Sequence, residues 1–208
     1  MAMEKPEYLG TLNAISLAES EAGVYLEAWA NATDDEDLAC CLRLVAAREA
    51  SHGETFCRRI AELGFDLQPK QDSGAAARLA KYANPKISDL EKIGPERQDS
   101  QVGDFFADAE KKIAEGYYDE MTCNMMQWYI NEEKDSGRRL REAYAAVREK
   151  NGMGKKAKMN GAAEGKMNGS AATMSGPSAD AEAIMACMTS GFKSLEKSLE
   201  KLAKAAAR

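Results

Sequence analysis

Apolar residues recur along the first 150 positions of this chain at intervals of three and four, the spacing of one helical face. Leu12, Ile15, Ala22, Leu26 and Trp29 mark a first helix, and Pro6 suits its start because it presets φ and needs no donor. Asn31-Ala32-Thr33 ends that helix. Thr33 and Glu36 form a capping-box pattern, which predicts a second helix almost at once. This second run, Asp35 to Leu63, carries Leu38, Cys41, Leu42, Val45, Phe56 and Ile60 on one face, with Gly64 as its C-terminal cap. So short a connection forces an antiparallel hairpin.

Residues 66–97 read as loop with short helices: one over Ala75 to Tyr82, a break at Pro85, and one capped by Ser88 that ends near Gly94-Pro95. Helical spacing resumes at Gln101 through Val102, Phe106, Ala109 and Ile113, and Gly116 bends or ends it. Met121, Met125, Trp128, Tyr129, Leu140 and Tyr144 then mark a long helix closing at Asn151-Gly152, and its Met and aromatic residues read as core packing. Beyond it the composition changes. Lys-Met-Asn-Gly at 158–161 recurs at 166–169 in a Gly-, Ser-, Ala- and Lys-rich tract, which predicts a flexible linker over 151–177. Over 178–208, Ile184, Met188, Phe192, Leu195, Leu199 and Leu202 predict an amphipathic helix. Its stripe calls for a partner: the bundle, a second copy in a homo-oligomer, or another protein. The chain thus divides into a helical bundle over 1–150, the linker, and the terminal helix.

Composition supports an all-α reading, since aromatics are 7% and prolines only five while Ala, Leu, Glu and Lys abound. A net charge of −6 offers no basic footprint for nucleic acid. No run approaches the roughly 18 apolar residues of a membrane span. The start, Met-Ala-Met-Glu-Lys-Pro, lacks the apolar core of a secretion signal. Cys40, Cys41, Cys57, Cys123 and Cys187 are odd in number and contain no CxxC pair, so they read as reduced thiols of a cytoplasmic protein.

The chemistry lies where charge interrupts the stripes. Glu19 falls four after Ile15 and three before Ala22; Glu49 and His52, the single histidine, fall on the second helix's apolar face. A carboxylate in such a place is a ligand or a cost, because an unpaired buried charge is expensive. Counted from the turn at Ala32, Glu19 lies 13 residues back and Glu49 17 forward. At about 1.5 Å per residue they differ by roughly one turn in height, so Glu19, Glu49 and His52 can converge between antiparallel helices.

Glu19-Ser20-Glu21-Ala22 with Tyr25, Glu49-xx-His52 on the second helix and Glu132-Glu133-Lys134 on a late one resemble the ferritin-like, rubrerythrin-like superfamily of four-helix bundles. The resemblance covers the first 150 residues and implies a carboxylate-bridged di-iron centre, with an oxidoreductase or iron- and peroxide-handling activity. It implies Glu19 as the first-helix ligand, Glu49 and His52 as the second-helix pair, and Glu133 as the fourth-helix glutamate. Glu110, between Phe106 and Ile113, is the third-helix candidate, ahead of Glu115 and Glu91. Glu133-Lys134-Asp135-Ser136 departs from the family by carrying serine where the second histidine belongs. That leaves open a mononuclear site, a di-metal site with water or Ser136 in the gap, or no metal, and oxygen-rich ligands shift preference toward manganese or magnesium. Two readings remain: a metal-dependent redox protein with a one-histidine site, or a metal-free helical scaffold that recruits partners through its last helix. In the second, His52 is a core histidine hydrogen-bonded to Glu19 or Glu133.

Overall fold

A computed structural model describes residues 4–70, 72–94 and 101–153. Among them are six helices and no strand: α1 (Leu9–Ala30), α2 (Glu36–Glu62), α3 (Ala75–Ala83), α4 (Asp89–Ile93), α5 (Gln101–Ala114) and α6 (Glu120–Lys150). The linker from residue 154 on and the whole terminal helix assigned to 178–208 lie outside the described residues.

The α1–α2 hairpin forms as its stripes require. Leu12, Ile15, Ala22, Leu26 and Trp29 are all buried, as are Leu38, Leu42, Val45, Phe56 and Ile60 opposite them. Full burial of such aliphatic and aromatic side chains stabilises by about 1.5–3 kcal/mol each. The start of α2 differs from the Thr33 cap expected above. Asp35 is the N-cap, accepting from Leu38 N at 3.1 Å. Thr33 instead accepts from Asp35 N and donates to Asp89 Oδ2 at 2.6 Å. The Asp35 carboxylate is the stronger acceptor, and Asp89 engages the threonine hydroxyl.

From the far end of α2 the chain returns along α1. Gln68 meets Asn13, Arg78 of α3 donates to Glu21, Tyr82 stacks on Tyr25 at 5.0 Å, and Asp89 of α4 accepts from Trp29 Nε1 at 2.7 Å. Residues 66–94 are therefore a crossover the length of the bundle. After it, α5 and α6 form a second hairpin, with α6 running parallel to α1. Glu21 is thus tied to α3.

The two ends of α6 are locked differently. At its start Asp119 caps the helix through Thr122 N at 3.1 Å and also accepts from Arg59 Nη2 at 2.7 Å and from the Tyr8 hydroxyl. At its finish Lys150 pairs with Asp35 at 2.8 Å. Asp119→Ala removes a cap and one of the two carboxylates that hold Arg59, so we expect a loss of about 1–2 kcal/mol in urea denaturation. Lys150→Ala, on an exposed pair, should cost about 0–1 kcal/mol by the same measure.

Along α6 the buried residues include Thr122, Met126, Tyr129, Ile130, Glu133, Ser136, Leu140 and Tyr144. Met121 is 62% exposed, and Met125 and Trp128 are only partly buried, so the inward face is rotated from the one read in the sequence. Two apolar clusters result. One joins Leu12, Ile15, Phe56, Phe106, Met126 and Ile130; the other joins Leu26, Trp29, Leu42, Val45, Leu140 and Tyr144. Between them lies a polar layer.

At that level the first two helices approach closely. Ser16 Oγ donates to Gly53 O at 2.8 Å, and a Cβ on Gly53 would lie 2.2 Å from Ser20 Oγ and 2.9 Å from Ser20 N. Helix propensity favours alanine over glycine by about 1 kcal/mol, but overpacking against backbone costs about 1–3 kcal/mol. Gly53→Ala should therefore lower the melting temperature, and a rise would show that the two helices separate freely.

Candidate metal centre

The polar layer is built by three helices. Glu19 of α1, Glu49 and His52 of α2, and Glu133 of α6 are each between 0% and 3% exposed. One donor atom from each lies within 4.8 Å of the other three. The Glu19 spacing within its stripe and the i, i+3 relation of Glu49 and His52 aim these side chains at the gap between the two clusters. Glu133 enters from α6, seven residues before Leu140 on the same face.

His52 is held from both sides. Its Nε2 lies 3.0 Å from Glu132 Oε2, while Nδ1 faces inward, 3.2 Å from Glu133 Oε1 and 3.9 Å from Glu49 Oε2. Trp128 and Tyr129 meet the imidazole edge-on at 4.9 and 5.1 Å. Two rings and a carboxylate thereby fix its orientation. Tyr129 donates its hydroxyl to Glu19 Oε1 at 2.8 Å, which settles one oxygen of that carboxylate.

Among the described residues four buried polar atoms make no hydrogen bond of ordinary geometry: Glu19 Oε2, Glu49 Oε2, and His52 Nδ1 and Glu133 Oε1, which face each other at 3.2 Å. They are one from each member of the cluster. Leaving a buried polar atom unpaired costs about 1–3 kcal/mol, so such atoms are rare and call for an explanation. One nitrogen and three carboxylate oxygens pointing at one space form a donor set that fits a transition-metal ion. The outward bond from Nε2 to Glu132 is the arrangement that orients a ligating histidine.

The electrostatics show what the cluster does with protons alone. Burial, then the charges of Glu49 and Glu133, carry Glu19 well above the usual carboxylate range, against the Tyr129 hydrogen bond. Burial and Glu49 raise Glu133 to about 7, with His52 pulling the other way. Burial disfavours charge on His52, but Glu133 and Glu49 outweigh it and lift the imidazole to about 10. Three carboxylates this close cannot all ionise beside one imidazolium without a further cation.

Glu110 stands apart from the four: it pairs with Lys134 at the surface, 43% exposed. Glu115 likewise faces solvent beside Lys111, and Glu91 belongs to the Ser88 capping box. Two residues that matter escaped the sequence reading. Glu132, given no role of its own there, reaches the outer imidazole nitrogen because its position, about 100° around the helix from Glu133, brackets the same ring. Tyr129 carried a usable signal, lying one turn before Glu133 on the same face.

The chain matches no family model, no curated protein and no solved structure.

Proposed function

We propose that this protein binds a redox-active metal ion, iron first and manganese second, through Glu19, Glu49, His52 and Glu133, and handles dioxygen or peroxide with it. The observation that carries this reading is the set of four orphaned buried donors, one per residue, converging in a single polar layer. The likeness of Glu49-xx-His52 to the ferritin-type ligand pattern supports iron over zinc. Bound there, iron would supply one-electron chemistry toward oxygen species.

The chain's own groups do the rest. Glu132 holds the imidazole so that Nδ1 faces the ion, Tyr129 fixes the Glu19 carboxylate, and the apolar clusters on either side keep bulk water out. Anaerobic loading of the full chain with iron(II), desalting and elemental analysis test the binding. Stoichiometric iron in wild type and none in His52→Ala supports it; iron in neither ends it. Faster consumption of peroxide by the loaded protein than by the His52→Ala variant tests the redox part.

A metal-free scaffold is the second reading, favoured by one observation: with His52 carried to about 10 and Glu133 to about 7, protons alone can partly neutralise the layer. It predicts no retained metal and no loss of partner binding in His52→Ala.

A further inference from the structure

Resting on the metal reading, we infer that the centre takes one ion per chain, and that the Arg48 guanidinium closes the side on which a second would sit. The donor inventory supports the count. Glu19 Oε1 is engaged by Tyr129 and His52 Nε2 by Glu132, and each of the four residues keeps one buried atom without a hydrogen bond. One donor atom from each residue lies within 4.8 Å of the others, a spread that one ion can draw together. A second ion would need donors of its own.

The helix geometry shows where those donors would come from, and what stands there. On α2 the residue three after Glu49 is His52; on α6 the residue three after Glu133 is Ser136, 2% exposed. Its hydroxyl is not free. Arg48 Nη1 donates to Ser136 Oγ at 3.1 Å and to Asp135 Oδ2 at 2.9 Å. Asp135 is itself held by Arg138 and Arg139, each at 2.6 Å, so the guanidinium is anchored from beyond the site. The carboxylate that α5 could contribute, Glu110, is turned to Lys134.

Charge points the same way. Three carboxylates match one divalent or trivalent ion to within a single charge. Two divalent ions would need Glu132 as a fourth carboxylate merely to reach neutrality, beside a fixed guanidinium and in a low-dielectric interior where like charges repel strongly.

Manganese(II) is the probe, because an isolated ion and an exchange-coupled pair differ in their electron paramagnetic resonance hyperfine patterns. Apo full-length protein is titrated, desalted and measured for metal content and spectrum. One manganese per chain with the isolated-ion pattern is expected. Two per chain with a coupled pattern overturns the inference while leaving the metal reading intact. Retention of neither manganese nor iron overturns both. A double variant, Arg48→Ala with Ser136→His, opens the blocked side and supplies a nitrogen; its stoichiometry should rise toward two and its spectrum become coupled. A count that stays at one in the double variant overturns the role given to Arg48.

Discussion

Saturating the apo protein with manganese(II) or iron(II) raises its melting temperature by about 5–10 °C, and His52→Ala abolishes the rise. The reason is that the proposed ligands come from α1, α2 and α6, at positions 19, 49, 52 and 133, and meet only in the folded chain. An ion that binds the folded state alone stabilises it by RT ln(1 + [L]/Kd), about 2.7 kcal/mol at a hundred times Kd. For a domain of this size each kcal/mol moves the midpoint by about 2–4 °C. His52→Ala removes the one nitrogen donor of the cluster and leaves a cavity beside Trp128 and Tyr129. The variant should therefore melt lower than wild-type apo protein, by about 2–4 kcal/mol of stability, and no longer respond to metal. Differential scanning calorimetry with and without metal measures both effects. An undiminished shift in the variant places the ion elsewhere.

The convergence of Glu19, Glu49 and His52 is legible in the sequence because each interrupts an otherwise apolar stripe, whereas Glu133 is indicated by the resemblance rather than by spacing. Periodicity fixes which way a helical residue points, and the short turn between α1 and α2 fixes their relative height. The inward face of α6 is less legible. Its apolar residues are spread around the helix, and Met121 satisfies the spacing as well as Met126 does, yet only Met126 is buried. Which of them turns inward is a matter of tertiary contact: Asp119, just before the helix, accepts from Tyr8 and from Arg59 of α2 and so ties the start of α6 to its neighbours. The Glu132–His52 and Arg48–Ser136 contacts join residues 80 and 88 positions apart, and no local pattern announces them. Thr33 was a local signal overridden by a distant partner, Asp89. Local spacing thus identifies the layer; the groups that orient and close it are set by tertiary contacts.

Glu19→Gln should stabilise the apo protein at pH 8 while abolishing its response to metal. Glu19 is fully buried beside Glu49 and Glu133, and its carboxyl is held well above the usual range by burial first and those two charges second. A group whose folded pKa is raised binds its proton more tightly when folded. Its contribution is complete below the unfolded value of about 4.5 and is lost as pH rises through the folded one. Glu133, raised to about 7, acts in the same direction over the window from about 4.5 to 7. His52, raised to about 10, extends the decline above 6.5. Wild-type apo protein should therefore lose stability steadily from about pH 5 to pH 9. Glutamine keeps the size of Glu19 and can still accept from the Tyr129 hydroxyl, but carries no charge, so its variant should decline less steeply. Relief of one uncompensated buried carboxylate is worth about 1–3 kcal/mol, or about 2–10 °C near pH 8, with convergence of the two proteins near pH 5. Metal reverses the order, because the ion stabilises the ionised cluster and glutamine gives it a weaker donor. Thermal melts at pH 5 and pH 8, each with and without manganese(II), separate the effects. Should Glu19→Gln melt below wild type at pH 8 without metal, the carboxylate is compensated in the apo state, and the orphaned oxygen no longer argues for an ion.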